Sequence, residues 1–198
     1  MLQLLVTGFG PFLGVTHNPS RSIAACLAAR PPAGWHVTAL ELPVSFSRVA
    51  PALDEALDRL GGPPDLLLGL GVHRGPYLRL ERRAARRPRS TRPDNDGHVA
   101  APGETAASAE VGAPLETSFE LEPLLAALAR TPAAWPRISA DAGGYVCEAT
   151  YCELLLRVGE RARAALFLHV APERHLPVAL QTRAVGDLLG AAREQLLA

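Results

Sequence analysis

The residues best able to do chemistry in this chain are a cysteine, a histidine and a carboxylate, each at the edge of an apolar segment. Cys147 sits in DAGGYVCEATYCELLLRV, just after Gly143-Gly144, where Tyr151, Leu154, Leu155 and Val158 repeat with helical spacing. A thiol in the first turn of a helix feels the partial positive charge of unpaired backbone N–H groups, which favours thiolate. The two glycines let the backbone turn sharply and come close to a ligand, having no Cβ to obstruct it. A cysteine so placed could be a nucleophile. Taken alone it is better read as a packing residue, because free cysteine is among the most buried residue types. Its partners decide.

His169 ends the apolar run ALFLHV and is followed by Ala171-Pro172, which stops a strand. A histidine in an apolar strand is usually a satisfied core residue, but at a carboxyl end the ring can face a cleft. Glu81, in LRLERR, is the candidate carboxylate. Thiolate attack, proton movement by imidazole and a carboxylate to orient the ring make a working set. Spacing alone favours another reading of Glu81, a solvated acid paired with Arg79, Arg82 or Arg83.

The elements that must position these groups alternate in type. Apolar runs at Leu2–Thr7, Trp35–Leu42, Asp65–Gly71 and Ala164–Val170 predict strands, with a short one at Leu78–Glu81 and another at Ile138–Ser139. Helical spacing falls between them: Asn18-Pro19-Ser20 as a capped start with Ile23 to Ala28 following, then Val49–Leu60, Glu120–Arg130, Cys147–Arg163 and Val178–Leu197. Strand, loop and helix in alternation predict an α/β fold with a largely parallel sheet, covered on both faces because its strands are almost continuously apolar. Ligands of such sheets bind beyond the carboxyl ends of strands. Gly8–Phe12, the loop after Gly71, the Gly143–Cys147 loop and His169 all fall at such ends. Periodicity fades in an Arg-rich excursion around 82–117, where irregular structure or a hairpin is expected. Without an internal repeat or linker, residues 1–198 read as one domain.

Composition narrows the function classes. At 48% hydrophobic and 20% charged residues the chain is globular. Formal net charge is zero, so no global field draws nucleic acid or an anionic membrane. All 20 basic residues are arginine, which reads as coding bias. Three cysteines, Cys26, Cys147 and Cys152, have neither metal-type nor CxxC spacing, and a reducing, cytoplasmic setting fits them. No apolar run is long enough for a membrane span, and the N-terminus lacks the pattern of a secretory signal. Gly8-Phe9-Gly10 has Leu13 where a dinucleotide fingerprint needs its third glycine.

VTGFGPF with Asn18-Pro19-Ser20, the Glu81 segment, Pro93-Asp94-Asn95, DAGGYVC and FLHV resemble, in order, the pyroglutamyl peptidase I (pyrrolidone-carboxylate peptidase) family of cysteine peptidases. The resemblance runs over about residues 4 to 172. It implies Cys147 as nucleophile, His169 as general acid and base, and Glu81 as the residue orienting His169. It implies an α/β/α sandwich with a mixed, mostly parallel sheet, no metal or cofactor, and removal of N-terminal pyroglutamate from peptides. Phe9 and Phe12 match positions that flank the lactam ring, and Tyr145 and Val146 match residues lining the same pocket; core packing is an equal reading of the two phenylalanines. A homo-oligomer, often a tetramer, is what the resemblance suggests. This sequence departs from the family pattern in GVHRGPYLRLE, one residue shorter, with His73, Arg74 and Pro76 intruding. It departs again at ERRAARR, and at Thr91, where many members carry an arginine that Arg89 or Arg92 could replace.

Two other readings compete. Eight arginines from Arg74 to Arg92 could mark a nucleic-acid patch, but only Tyr77 offers a stacking aromatic there, and a solvated arm fits the zero net charge better. A catalytically impaired relative that binds peptides is the third.

Overall fold

The computed structural model describes residues 1–12, 14–86, 90–100 and 113–198. Along the chain come β1 (Leu2–Phe9), α1 (Pro19–Ala29), β2 (Trp35–Leu42), α2 (Val49–Arg59), β3 (Leu66–Val72), β4 (Arg79–Glu81) and β5 (Arg83–Ala84). They are followed by β6 (Leu115–Glu116), α3 (Leu121–Leu128), β7 (Arg137–Ser139), α4 (Val146–Leu156), β8 (Ala165–Val170) and α5 (Val178–Leu197). The main sheet has six strands in the order β2-β1-β3-β8-β4-β7. Every neighbouring pair is parallel except β4 with β8, so the sheet is mixed.

Alternate residues of each strand face opposite sides of a sheet, and here the two sides have separate cores. Leu4 and Val6 of β1, Leu66, Leu68 and Leu70 of β3, and Leu166, Leu168 and Val170 of β8 pack against α1, α3 and α5. Leu5, Leu67, Ala165 and Phe167 face α2 and α4. This is the three-layer α/β/α arrangement, with the predicted mostly parallel sheet in the middle.

Local chemistry accounts for the element ends. Asn18 caps α1, its side chain accepting from the Ser20 N–H at 3.2 Å, and Pro19 occupies the first turn, where its missing N–H costs nothing. Helix α4 stops at Leu156 rather than running on to Arg163. Gly159 takes φ 99°, a left-handed turn, and its N–H bonds the Ala162 carbonyl. Arg157 also turns back to bond Glu153 and reaches Asp54 on α2 at 2.9 Å, tying the two helices of this face together. Of the Arg-rich excursion, the described parts hold the small antiparallel pair β5–β6; residues 87–89 and 101–112 lie outside the described residues.

Candidate active site

In LLLGLGV, leucine and glycine alternate, so β3 shows leucine to one face and Gly69 and Gly71 to the other. The missing side chains leave a furrow. The Phe167 ring fills it beside Gly69, where an added Cβ would meet the ring at 2.3 Å. The Cys147 sulfur fills it beside Gly71, 2.8 Å from where a Cβ would stand. Gly71 is the register partner of His169 on β8. The sulfur therefore lies over one strand and the imidazole on the next, on one face of the sheet.

The antiparallel pairing of β4 with β8 brings in the carboxylate. Arg79 stands opposite His169 and Glu81 opposite Phe167, so Glu81 and His169 are diagonal neighbours on one face. His169 Nδ1 is 2.8 Å from Glu81 Oε1, and both side chains are buried. Arg79 donates to the same oxygen at 2.9 Å and to the Asp141 carbonyl at 3.0 Å. From α4, the Tyr151 hydroxyl donates to the Glu81 carbonyl at 3.0 Å. One helix thus carries Cys147 and, four residues on, a strut for the strand that holds Glu81.

The cysteine loop requires its glycines, Gly143 and Gly144 standing at φ 100° and 77°. Helix α4 then starts at Val146 without a side-chain cap. Tyr145, just before it, packs edge-on to Phe46 and donates its hydroxyl to the Pro93 carbonyl at 2.9 Å. Pro93 stands in the facing wall, and Asp94 and Asn95 brace it from behind. The buried Asp94 carboxyl accepts from the N–H groups of Phe46, Asp96 and His98; burial alone would raise it, but those bonds hold it below the usual carboxylate range. Asn95 ties this wall to the first loop through the Pro11 carbonyl, and Asn18 braces the same loop at Gly10.

These walls enclose a cavity of about 740 Å³, within the range of small-ligand sites. Phe9, Phe12, Tyr145 and Val146 line one part, Cys147 and His169 line it too, and His73, Arg74, Arg79 and Arg92 are also among its walls. Glu81 does not line the cavity; it lies behind His169. Among the described residues no group of three or more His, Cys, Asp or Glu is placed to hold a metal ion.

Electrostatically the site is protein-dominated. Burial, and next the Glu81 charge, push the Cys147 thiol up to about 12, although Arg79 and the residue's own N–H pull the other way. Cys147 keeps partial access to the cavity, yet burial outweighs the helix-start effect expected to favour thiolate. That balance favours the thiol over the thiolate. Burial lowers His169 below its ordinary value against the opposing bond to Glu81, which favours the neutral imidazole. Burial takes His73 down to about 4.

Residues 2–178 match the family model described as pyroglutamyl peptidase. A pyrrolidone-carboxylate peptidase of Gloeobacter violaceus is 35% identical over 173 residues, 85% of this chain and 81% of that protein. This chain belongs to the pyroglutamyl peptidase family. A second relative, the pyrrolidone-carboxylate peptidase of Thermococcus kodakarensis, is 32% identical over 85% of this chain and 81% of its own length. The pyrrolidone carboxyl peptidase of Fervidobacterium islandicum AW-1 superposes with a TM-score of 0.85 at 29% identity, covering 98% of this chain and 99% of that one. That of Thermus thermophilus superposes at 0.76 with 33% identity, covering 94% of this chain and 98% of that one.

Of the positions at which the sequence suggests a departure from the family pattern, His73 and Arg74 line the cavity, and so does Arg92, one of the two arginines offered in place of Thr91; Arg89, the other, lies outside the described residues. Sequence reasoning missed Arg79, Tyr151 and His73 as parts of the site. Arg79 lies two residues from Glu81 on a strand, and Tyr151 four residues from Cys147 on a helix, so each spacing already put the pair on one face.

Proposed function

We propose that this protein is a cysteine-type peptidase that removes N-terminal pyroglutamate from peptides, with Cys147 as nucleophile, His169 as general acid and base and Glu81 orienting His169. The observation that carries the reading is the buried Glu81–His169 hydrogen bond at 2.8 Å, behind a cavity that the Cys147 sulfur also lines. Family membership and the relatives' names support the substrate. An uncharged lactam needs apolar walls and a few hydrogen bonds, and Phe9, Phe12, Tyr145 and Val146 offer such walls.

Holding the Nδ1 proton toward Glu81 leaves Nε2 of His169 as the nitrogen free to accept one. The Cys147 thiol gives its proton to Nε2 as sulfur bonds the carbonyl carbon between pyroglutamate and the next residue. The Cys147 N–H, in the uncapped first turn, is a donor for the oxygen that becomes negative; one such donor is typically worth about 3 kcal/mol. The imidazolium then protonates the departing amine as the C–N bond breaks, leaving a thioester. Water, deprotonated by His169, attacks the thioester; pyroglutamate leaves and sulfur recovers its proton.

The rival nucleic-acid reading has little to stand on. Arg79 turns inward to Glu81, Arg82 pairs with Glu122 at 3.7 Å, and Arg83 donates to the Ala140 carbonyl.

The test is release of a fluorescent amine from its pyroglutamyl amide. Cys147→Ser and His169→Ala should each lower kcat at least about 10³-fold, and Glu81→Gln about 10²- to 10⁴-fold. Full activity in Cys147→Ser would reject the nucleophile.

A further inference from the structure

The cavity is larger than a five-membered lactam needs, and its charge is one-sided. Three arginines, Arg74, Arg79 and Arg92, line it, and among the described residues no aspartate or glutamate does. Arg79 is already matched by Glu81 at 2.9 Å. His73 adds no charge at neutral pH, being held down to about 4 by burial. Arg74 and Arg92 are left: both are exposed at the mouth, and neither has an acidic partner among the described residues. Since the whole chain has a formal net charge of zero, this positive mouth is a local feature and not a reflection of general basicity.

The sheet order says which end of a substrate meets Arg74. Phe9 closes β1, Cys147 lies over Gly71 of β3, and His169 stands on β8, so apolar wall, sulfur and imidazole follow one another across β1-β3-β8. If the lactam lies against Phe9 and Phe12, the departing amine lies on the His169 side. Arg74 is on that side. Its loop leaves β3, bonds the end of β8 through the His73 N–H and the Val170 carbonyl, and passes over to β4. The His73 ring stands edge-on to His169 with centroids 6.1 Å apart. Arg92 lies on the facing wall, next to the Pro93 carbonyl that Tyr145 bonds.

We propose that Arg74, assisted by Arg92 across the mouth, makes this enzyme prefer pyroglutamyl peptides that carry a carboxylate immediately after the scissile bond. The carboxylate is either an acidic side chain on the residue after pyroglutamate or the free C-terminus of a dipeptide. The inference rests on the peptidase reading and specifies the leaving side of its substrate. Unpaired guanidiniums gain a partner, whereas a cationic residue at that place meets like charge.

Two matched pairs separate the sources: pyroglutamyl-Glu-amide against pyroglutamyl-Gln-amide for the side chain, and pyroglutamyl-Ala against pyroglutamyl-Ala-amide for the C-terminus. With kcat/KM measured at low ionic strength, the acidic member of at least one pair should lead by about fivefold, the scale of an exposed ion pair. That ratio should fall toward one in Arg74→Gln and less far in Arg92→Gln. It should also fall when salt is raised to about 0.5 M, which screens exposed charges; a purely structural effect of the substitution would not respond to salt. Ratios within about twofold of one in both pairs would overturn the proposal. A ratio that persists in Arg74→Gln would overturn the assignment to Arg74. Hydrolysis of none of the four compounds would be a different result, the failure of the peptidase reading itself and of this inference with it.

Discussion

The two faces of the sheet are built from the same strands and serve opposite ends. On β3, Leu66, Leu68 and Leu70 enter the core under α1, α3 and α5, while Leu67, Gly69 and Gly71 face α2 and α4. On β8 the division is Leu166, Leu168 and Val170 against Ala165, Phe167 and His169. The first face is apolar and closely filled. The second gives up side-chain volume at two glycines, admits a sulfur, and buries Glu81 and His169 as a hydrogen-bonded pair. Burying polar groups there is offset in part by partners: Glu81 Oε1 meets Arg79 and His169 and the Glu81 carbonyl meets Tyr151, while Glu81 Oε2 has no hydrogen-bond partner among the described residues. Stability and chemistry are thus separated by a single residue step along a strand.

Neighbouring substitutions can break that division. Leu70→Ala should cost about 2–5 kcal/mol of stability, because the closed face cannot collapse around the lost volume. Its folded fraction should keep its catalytic constants, as measured by denaturant unfolding alongside the amide assay. Gly71→Ala, one residue on, should lose chiefly rate, with a smaller loss of stability from crowding the Phe167 ring at 3.1 Å. Its Cβ would stand 2.8 Å from the Cys147 sulfur, and displacing a nucleophile by about 1 Å can cost roughly 10²-fold in rate. Equal behaviour of the two variants, in either assay, would remove the distinction between the faces.

A smaller effect sharpens the electrostatic side. Arg79→Gln should lower kcat about tenfold, the scale of one charge-assisted hydrogen bond. Arg79 also disfavours protonation of His169, so removing it should move the acid limb of the kcat/KM profile to higher pH. A loss of rate with no movement of that limb would make Arg79 a packing residue only.

Acidification gives the mildest test. His73 titrates near 6.5 when unfolded and is held at about 4 when folded, so below 6.5 the unfolded chain binds the proton first. Stability should therefore be fully present above pH 6.5 and decline as pH falls toward about 4. His169 shifts in the same direction. Replacing His73 with Phe should flatten part of this slope in unfolding midpoints measured across the window; an unchanged slope would mean that His73 does not contribute.

Much of this division was legible in the sequence, and the parts that were not have physical reasons. The apolar runs marked the strands because strands buried on both faces leave no polar alternation to blur them, and Val178–Leu197 spans α5 end to end. The end of α4 was not legible, since helical spacing continues past Leu156 while the left-handed Gly159 turns the chain out of the helix. Phe9, Phe12, Tyr145, Val146, Cys147 and His169 come together around one cavity from separate stretches. Glu81 was ambiguous because only the antiparallel turn of β4 back against β8 decides between an arginine partner and a histidine. The structure gives it both. The raised thiol was also beyond the sequence, because a helix start is visible in a residue string and the burial that outweighs it is not.

The central claim is that the acyl group of the substrate passes through the Cys147 sulfur. Rapid quenching of the enzyme with a pyroglutamyl amide, followed by digestion and mass spectrometry, reads this directly. The account predicts one pyroglutamyl group, labile to hydroxylamine, on the peptide that carries Cys147, and greater accumulation when His169 is replaced by a residue that slows thioester hydrolysis more than attack. Turnover with no acylated Cys147 at any quench time, or acylation confined to Cys26 or Cys152, would contradict it.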